Sequence, residues 1–145
     1  MSQPIPPQLS DIAEDFELLD NWEDRYRYVM ELGRAMPALD DAAKTDANKV
    51  RGCASQVWLL TTLSGPPQDP IMHFAGDSDA HLVRGLVALL LKLVQDRPAS
   101  EITASDPLAV FAALGLKEHL TPQRANGLAS MVQRIKADAH RALGQ

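Results

Sequence analysis

The chain has 145 residues, 46% hydrophobic and 23% charged, with a formal net charge of −5, as expected of one soluble domain able to bury a core. Lys and Arg form no cluster that could grip phosphates, so nucleic acid is not the expected partner. The longest apolar run, Gly85 to Leu91, stops at Lys92, far short of the ~20 residues a membrane span needs, and Met1-Ser2-Gln3-Pro4 lacks the basic-then-apolar pattern of a secretory signal.

Pro4-Ile5-Pro6-Pro7 completes a stiff extended lead-in over residues 1–7, because proline fixes φ and removes backbone donors. Leu9, Ile12, Ala13, Phe16 and Leu19 then recur at helical spacing. Asp20-Asn21 breaks this helix, and Asn21 is a good cap for a second one, with Glu23 and Asp24 suiting its first turn. That helix should run to about Ala35 with Tyr26, Val29, Met30 and Gly33 inward, and Pro37 stops it. Residues 38–47 show no periodicity and read as a surface connection.

From Lys49 the pattern changes. Val50 and then Val57-Trp58-Leu59-Leu60-Thr61-Thr62-Leu63 are β-branched or aromatic enough for a strand. Ser64-Gly65-Pro66-Pro67-Gln68-Asp69-Pro70 is turn chemistry, and Ile71-Met72-His73-Phe74-Ala75 is the returning strand. Gly52-Cys53 falls just before this hairpin. Gly76-Asp77-Ser78 should end the strand, with Asp77 or Ser78 capping the next helix. In that helix Leu82, Val83, Leu86, Val87, Leu89, Leu90, Leu91, Leu93 and Val94 leave only a narrow wetter stripe of His81, Arg84, Ala88, Lys92 and Gln95, so it is central. Pro98 and Pro107 each start a short helix, the second ending near Gly115. Thr121-Pro122 starts the last one, which runs to about Leu143 with Leu128, Met131, Val132, Ile135 and Leu143 inward. The order predicts a single α+β domain over 1–145, a small antiparallel sheet covered by helices.

Chemistry centres on the one cysteine, Cys53. A single thiol excludes an internal disulfide, a CxxC redox pair and most soft metal sites. With no export signal it fits a reducing cytoplasm. A lone cysteine is ordinarily a small buried hydrophobe, but this one follows a glycine in a loop, where reactive groups concentrate. Arg51 could favour its thiolate, whereas an apolar pocket would raise its pKa, and both outcomes stay open. His73, His81, His119 and His140 are scattered, and nothing in their spacing selects a base for the thiol. Capping explains Asp77 and Asp79, and Trp58 reads as packing on a strand. Arg124 sits in a first helical turn, where the dipole disfavours a cation, which hints at a contact role.

The run Asn48-Lys49-Val50-Arg51-Gly52-Cys53-Ala54-Ser55-Gln56-Val57-Trp58-Leu59 resembles the cysteine motif of the SufE family of sulfur acceptors. Gly76-Asp77-Ser78-Asp79-Ala80 and His119-Leu120-Thr121-Pro122-Gln123-Arg124-Ala125-Asn126-Gly127-Leu128 resemble its two later motifs, in order and at the expected distances. The similarity extends from about Pro7 to the last helix. Ala54 departs from it, standing where familiar members carry a longer polar residue.

The resemblance implies a three-stranded antiparallel sheet packed by helices, like that of iron–sulfur scaffold proteins. It implies a protein that takes sulfur from a pyridoxal-phosphate cysteine desulfurase (SufS-like or CsdA-like), stimulates that desulfurase, holds the sulfur as a persulfide on Cys53, and delivers it to an iron–sulfur scaffold. No cofactor would be bound by the chain itself, and a homodimer stays open. Gly52 would let the cysteine loop move from an apolar resting cavity, with Arg51, Asp77 and Arg124 as loop or partner contacts. The residues alone keep two rivals: a cysteine hydrolase pairing Cys53 with a histidine, and an interaction module in which Cys53 is filler. A cluster scaffold would need more thiolates than one chain of this kind holds.

Overall fold

The computed structural model describes residues 5–145, so Met1–Pro4 of the lead-in lie outside the described residues. A 3-10 turn at Pro7–Leu9 leads into α1 (Ser10–Leu18), whose Ile12 and Phe16 enter the core beside Leu9. Helix α2 (Trp22–Ala35) starts where Asn21 Oδ1 accepts the Asp24 N–H at 2.9 Å, as its cap position predicts. Strands β1 (Val57–Ser64) and β2 (Ile71–Ser78) form the hairpin, and β3 (Arg97–Pro98) pairs with the start of β2 through Ile71↔Pro98 and Met72↔Arg97. The sheet is antiparallel with order β1-β2-β3. Between β2 and β3 runs α3 (His81–Val94), followed after the sheet by α4 (Ala99–Ala104), α5 (Pro107–Ala113), α6 (Leu116–His119) and α7 (Pro122–Ala142). The fold is α+β, with a three-stranded antiparallel sheet and seven α-helices among the described residues.

Alternation along the strands decides which face is covered. Val57, Leu59, Met72, Phe74 and Gly76 are buried, while Trp58, Leu60, Ile71 and His73 are part-exposed and Ala75 is exposed. Helix α3 lies on the buried face, close enough that a Cβ on Gly76 would fall 2.7 Å from Val87 Cγ1. On its other side α3 crosses α2 glycine against glycine. A Cβ on Gly33 would lie 2.7 Å from the Gly85 nitrogen, and one on Gly85 would overlap the Val29 carbonyl, so the backbones touch where no side chain could stand. Residues Leu86, Val87, Leu89 and Leu90 are left almost wholly buried.

Several expectations are corrected. β2 continues to Ser78 instead of stopping at Ala75, because Trp58↔Asp77 and Val57↔Ser78 extend the ladder. Neither Asp77 nor Ser78 caps α3. Ala80 holds the N-cap position without a side-chain bond, Ser78 Oγ accepts only the Ala80 N–H (3.3 Å), and Asp77 is turned inward. Ala88 is buried and Arg84 is drawn into the molecule, so the wetter stripe of α3 is narrower than hydropathy suggests. Pro98 belongs to β3 and precedes α4. The 38–47 connection buries Leu39 and contains a 3-10 turn at Asp41–Ala43.

Asp77 joins these parts. Its carboxylate accepts the N–H groups of Leu39 (3.1 Å) and Ser78 (2.8 Å) and pairs with Arg84, while Lys44 Nζ stands 3.7 Å away. Arg84 also donates to the carbonyls of Gly33 (2.7 Å) and Met36 (2.6 Å) at the end of α2. Burial alone would raise the Asp77 pKa, but the two N–H bonds and the charges of Arg84 and Lys44 outweigh it and hold the carboxyl below the ordinary aspartate value. Removing it leaves the part-buried Arg84 without its counter-charge, so Asp77→Ala should cost about 3 kcal/mol in urea unfolding. With a depressed native pKa, the contribution of Asp77 is full above about pH 4 and fades as pH falls through the native value. Asp77→Asn should lose that part of the acid dependence.

Candidate functional site

Before β1 begins, the chain already lies along its outer edge. The Val50 N–H donates to the Val57 carbonyl (2.8 Å), the Leu59 N–H donates to the Asn48 carbonyl (2.7 Å), and Lys49 bridges Trp58. Residues 51–56 are therefore a short loop closed at its base by strand-like pairing. At its downstream end Asp79 holds Gln56, its carboxylate accepting the Gln56 N–H (3.0 Å) and its own N–H donating to the Gln56 carbonyl (3.3 Å).

Between these fixed ends the loop rests on α7. Gly52 has φ +89°, and a Cβ there would fall 2.5 Å from Ser130 Oγ. Only glycine meets both demands without strain. Cys53 follows, and its Sγ donates to the Gly127 carbonyl at 3.5 Å, a weak bond that points the thiol at the helix backbone. Gly127 is itself buried and bare, so Cys53 packs over helix backbone. Beneath the loop lies a cavity of about 210 Å³, floored by Val83, Leu86, Leu128 and Met131 and rimmed by Thr121, Gln123 and Arg124.

Cys53 is half-buried, and burial pushes its pKa up from the ordinary thiol value. Arg51 is exposed and does not reverse that shift, so of the two opposed influences desolvation prevails. A thiol held mostly protonated is a weak nucleophile, because the thiolate is the reactive form.

The four histidines lie elsewhere in the hydrogen-bond pattern. His73 is bound between Ser64 Oγ (2.6 Å) and Asp96 Oδ1 (2.6 Å), His119 stacks on Trp22 with ring centroids 3.9 Å apart, and His140 bonds Gln145 (2.7 Å). His81 is exposed at the start of α3, and no histidine lines the cavity under Cys53. Trp58 carries Lys44 Nζ 5.3 Å from its ring centre. Arg124 shares the cavity with Cys53, while its own N–H is capped by Thr121 Oγ1 (3.3 Å). Asp77 stands apart from that cavity and ties α2 to α3. The residue pattern gives no signal for Ser130, and for Gly127 only the weak one that a glycine inside a long helical pattern often has a packing reason. Among the described residues no group of three or more His, Cys, Asp or Glu is placed to hold a metal ion, and no helix is long and apolar enough to cross a membrane.

Residues 10–139 match the SufE family, described as an Fe–S metabolism associated domain. The chain is 58% identical to an uncharacterised SufE-like protein of Rhizobium etli over 90% of its length and 88% of the relative's. A second SufE-like protein, from Rhizobium meliloti, is 55% identical over 90% and 94% of the two chains. The sulfur acceptor protein CsdE of Escherichia coli is 42% identical over 87% and 84%. The fold matches the solution structure of a hypothetical protein from Thermus thermophilus with a TM-score of 0.75 at 21% identity, covering 98% and 100% of the chains. The chain belongs to the SufE family.

Alkylation of the free protein by iodoacetamide reads Cys53 alone, since no other cysteine is present. Its rate should titrate with a midpoint above that of a small free thiol measured alongside. A midpoint at or below that reference would contradict the burial effect.

Proposed function

We propose that this member of the SufE family is a cytoplasmic sulfur acceptor that takes a sulfur atom from a pyridoxal-phosphate cysteine desulfurase onto Cys53 and passes it to iron–sulfur cluster assembly. The observation that carries the reading is the placement of Cys53: a single, half-buried thiol on a short loop, lying over Gly127 and opening on its own cavity. Its 42% identity to a protein named as a sulfur acceptor supports the same chemistry.

The transfer balances without an external oxidant. The Cys53 thiol gives up its proton, and its thiolate attacks the outer sulfur of the persulfide carried by the desulfurase. A sulfur–sulfur bond forms on Cys53 as the one on the desulfurase breaks. The desulfurase thiolate leaves and takes up a proton. Sulfur moves at constant oxidation level, and the pyridoxal cofactor stays with the partner.

Shelter has a purpose in this scheme. An exposed persulfide is open to oxidation and to attack by small thiols. A cavity under the loop gives the outer sulfur a place away from solvent, with Arg124 at its rim to favour the anionic persulfide. The partner must then draw the loop out, which confines reaction to the docked complex. Gly52, already left-handed, is the residue where that motion costs least. A hydrolase reading finds no support, because no histidine approaches the thiol and its hydrogen-bond partner is a carbonyl.

The test is incubation with a SufS-like or CsdA-like desulfurase and free cysteine, followed by intact mass without reductant. Wild-type protein should gain sulfur that dithiothreitol removes, Cys53→Ser should gain none, and alanine release by the desulfurase should rise only with the wild type. No gain with either desulfurase would overturn the reading.

A further inference from the structure

Helix α7 meets the 47–53 segment along one stripe. Gly127 lies under Cys53, Ser130 under Gly52, and Arg134 follows at the next helical turn on that face. Arg134 Nη2 donates to the Ala47 carbonyl at 2.9 Å, and Nη1 to the Lys49 carbonyl at 3.3 Å. Its Nε faces Asp138, 3.3 and 3.4 Å from the two carboxylate oxygens. Asp138 is buried, 6% exposed, and is fixed in turn by the Thr61 hydroxyl of β1 (2.8 Å) and by Arg141 (3.1 Å). The guanidinium fork is thus aimed by a buried carboxylate at two carbonyls of the strand-like segment that carries the cysteine loop.

This arrangement bears on how the loop opens. With the 47–50 segment free, its pairing with β1 could fray and the whole stretch from 47 to 56 could lift. With Arg134 in place, the base of the loop is held against β1, and the rest position of Cys53 over Gly127 is defined from that base. We propose that Arg134, aimed by Asp138, is a latch that keeps the Cys53 loop closed in the free protein, a positioning residue acting on the thiol through the backbone of residues 47–49. The inference rests on the sulfur-acceptor reading for its purpose, but the latch is measured without sulfur transfer.

The experiment compares iodoacetamide alkylation of free wild type, Arg134→Ala and Arg134→Lys at one pH, with amide hydrogen exchange on the same proteins. Losing charge-assisted bonds to two carbonyls should raise the alkylation rate of Arg134→Ala about tenfold. Arg134→Lys keeps the charge but not the fork, so it should recover only part of the protection. Exchange at the Val50 and Leu59 amides should quicken by a similar factor, while the amides of α3 keep their wild-type rates. A merely structural role would speed α3 exchange equally and lower the urea midpoint in proportion. That pattern, or an alkylation rate within twofold of wild type, overturns the latch. Where Arg134→Ala does not fold, Arg134→Gln, which keeps the stem and one amide donor, carries the same comparison. Faster alkylation in a protein that gains no sulfur from desulfurase would leave the latch standing and remove the acceptor reading. Sulfur gain with unchanged alkylation would do the reverse.

Discussion

The close approach of Gly52 to α7 is the constraint on which the rest of the site depends. It sets the loop down on Ser130 with a left-handed backbone, and the next residue, Cys53, then has Gly127 beneath it and little else. The environment of the thiol follows from that seat. Its half-burial comes from contact with the helix, its raised pKa comes from the burial, and the cavity is the space that a loop resting on the helix shoulder leaves below. The same contact is made through a glycine and a weak S–H bond. Such a loop belongs to the low-stability end of a fold, where motion is available without unfolding the core.

The frame that holds α7 and the loop in register is rigid by contrast. Helices α2 and α3 touch backbone to backbone at Gly33 and Gly85, and the buried Asp77, paired with Arg84, binds the end of α2, the following connection and β2 into one joint. Two carboxylates therefore divide the work. Asp77 organises the sheet and helices behind the site, and Asp138 organises the α7 face beside the loop. Neither touches the thiol. Each acts by fixing an arginine whose other bonds go to backbone carbonyls, a use that suits the forked geometry of guanidinium better than the single point of an ammonium.

Much of this architecture was legible in the residues. The helical spacing of Ile12 and Phe16, the Asn21 cap, the Thr121-Pro122 start and the continuous apolar surface of α3 each placed an element correctly, because local propensity and burial agree there. Failures came where a side chain serves a distant partner. Asp77 beside a helix start looks like a cap, and only the fold brings Arg84 and the Leu39 N–H to it. The two-residue β3 has no periodicity to read, and it exists because the chain leaving α3 passes the start of β2. At the site itself, Cys53 and Gly52 stood out as a pair, whereas Ser130 and Arg134 lie about eighty residues further on in a helix whose pattern marks only its buried side.

The proposed transfer turns on a loop that hides Cys53 until a desulfurase withdraws it. Its most direct test is the alkylation rate of Cys53 in the protein alone and in complex with a desulfurase whose own active-site cysteine has been replaced by serine, which leaves one reactive thiol at the interface. If docking trades the contact with α7 for a position open to the partner's active site, alkylation is clearly faster in the complex than in the free protein. Equal rates, or protection on binding, would mean that the loop does not open there, and would contradict release of Cys53 by the partner.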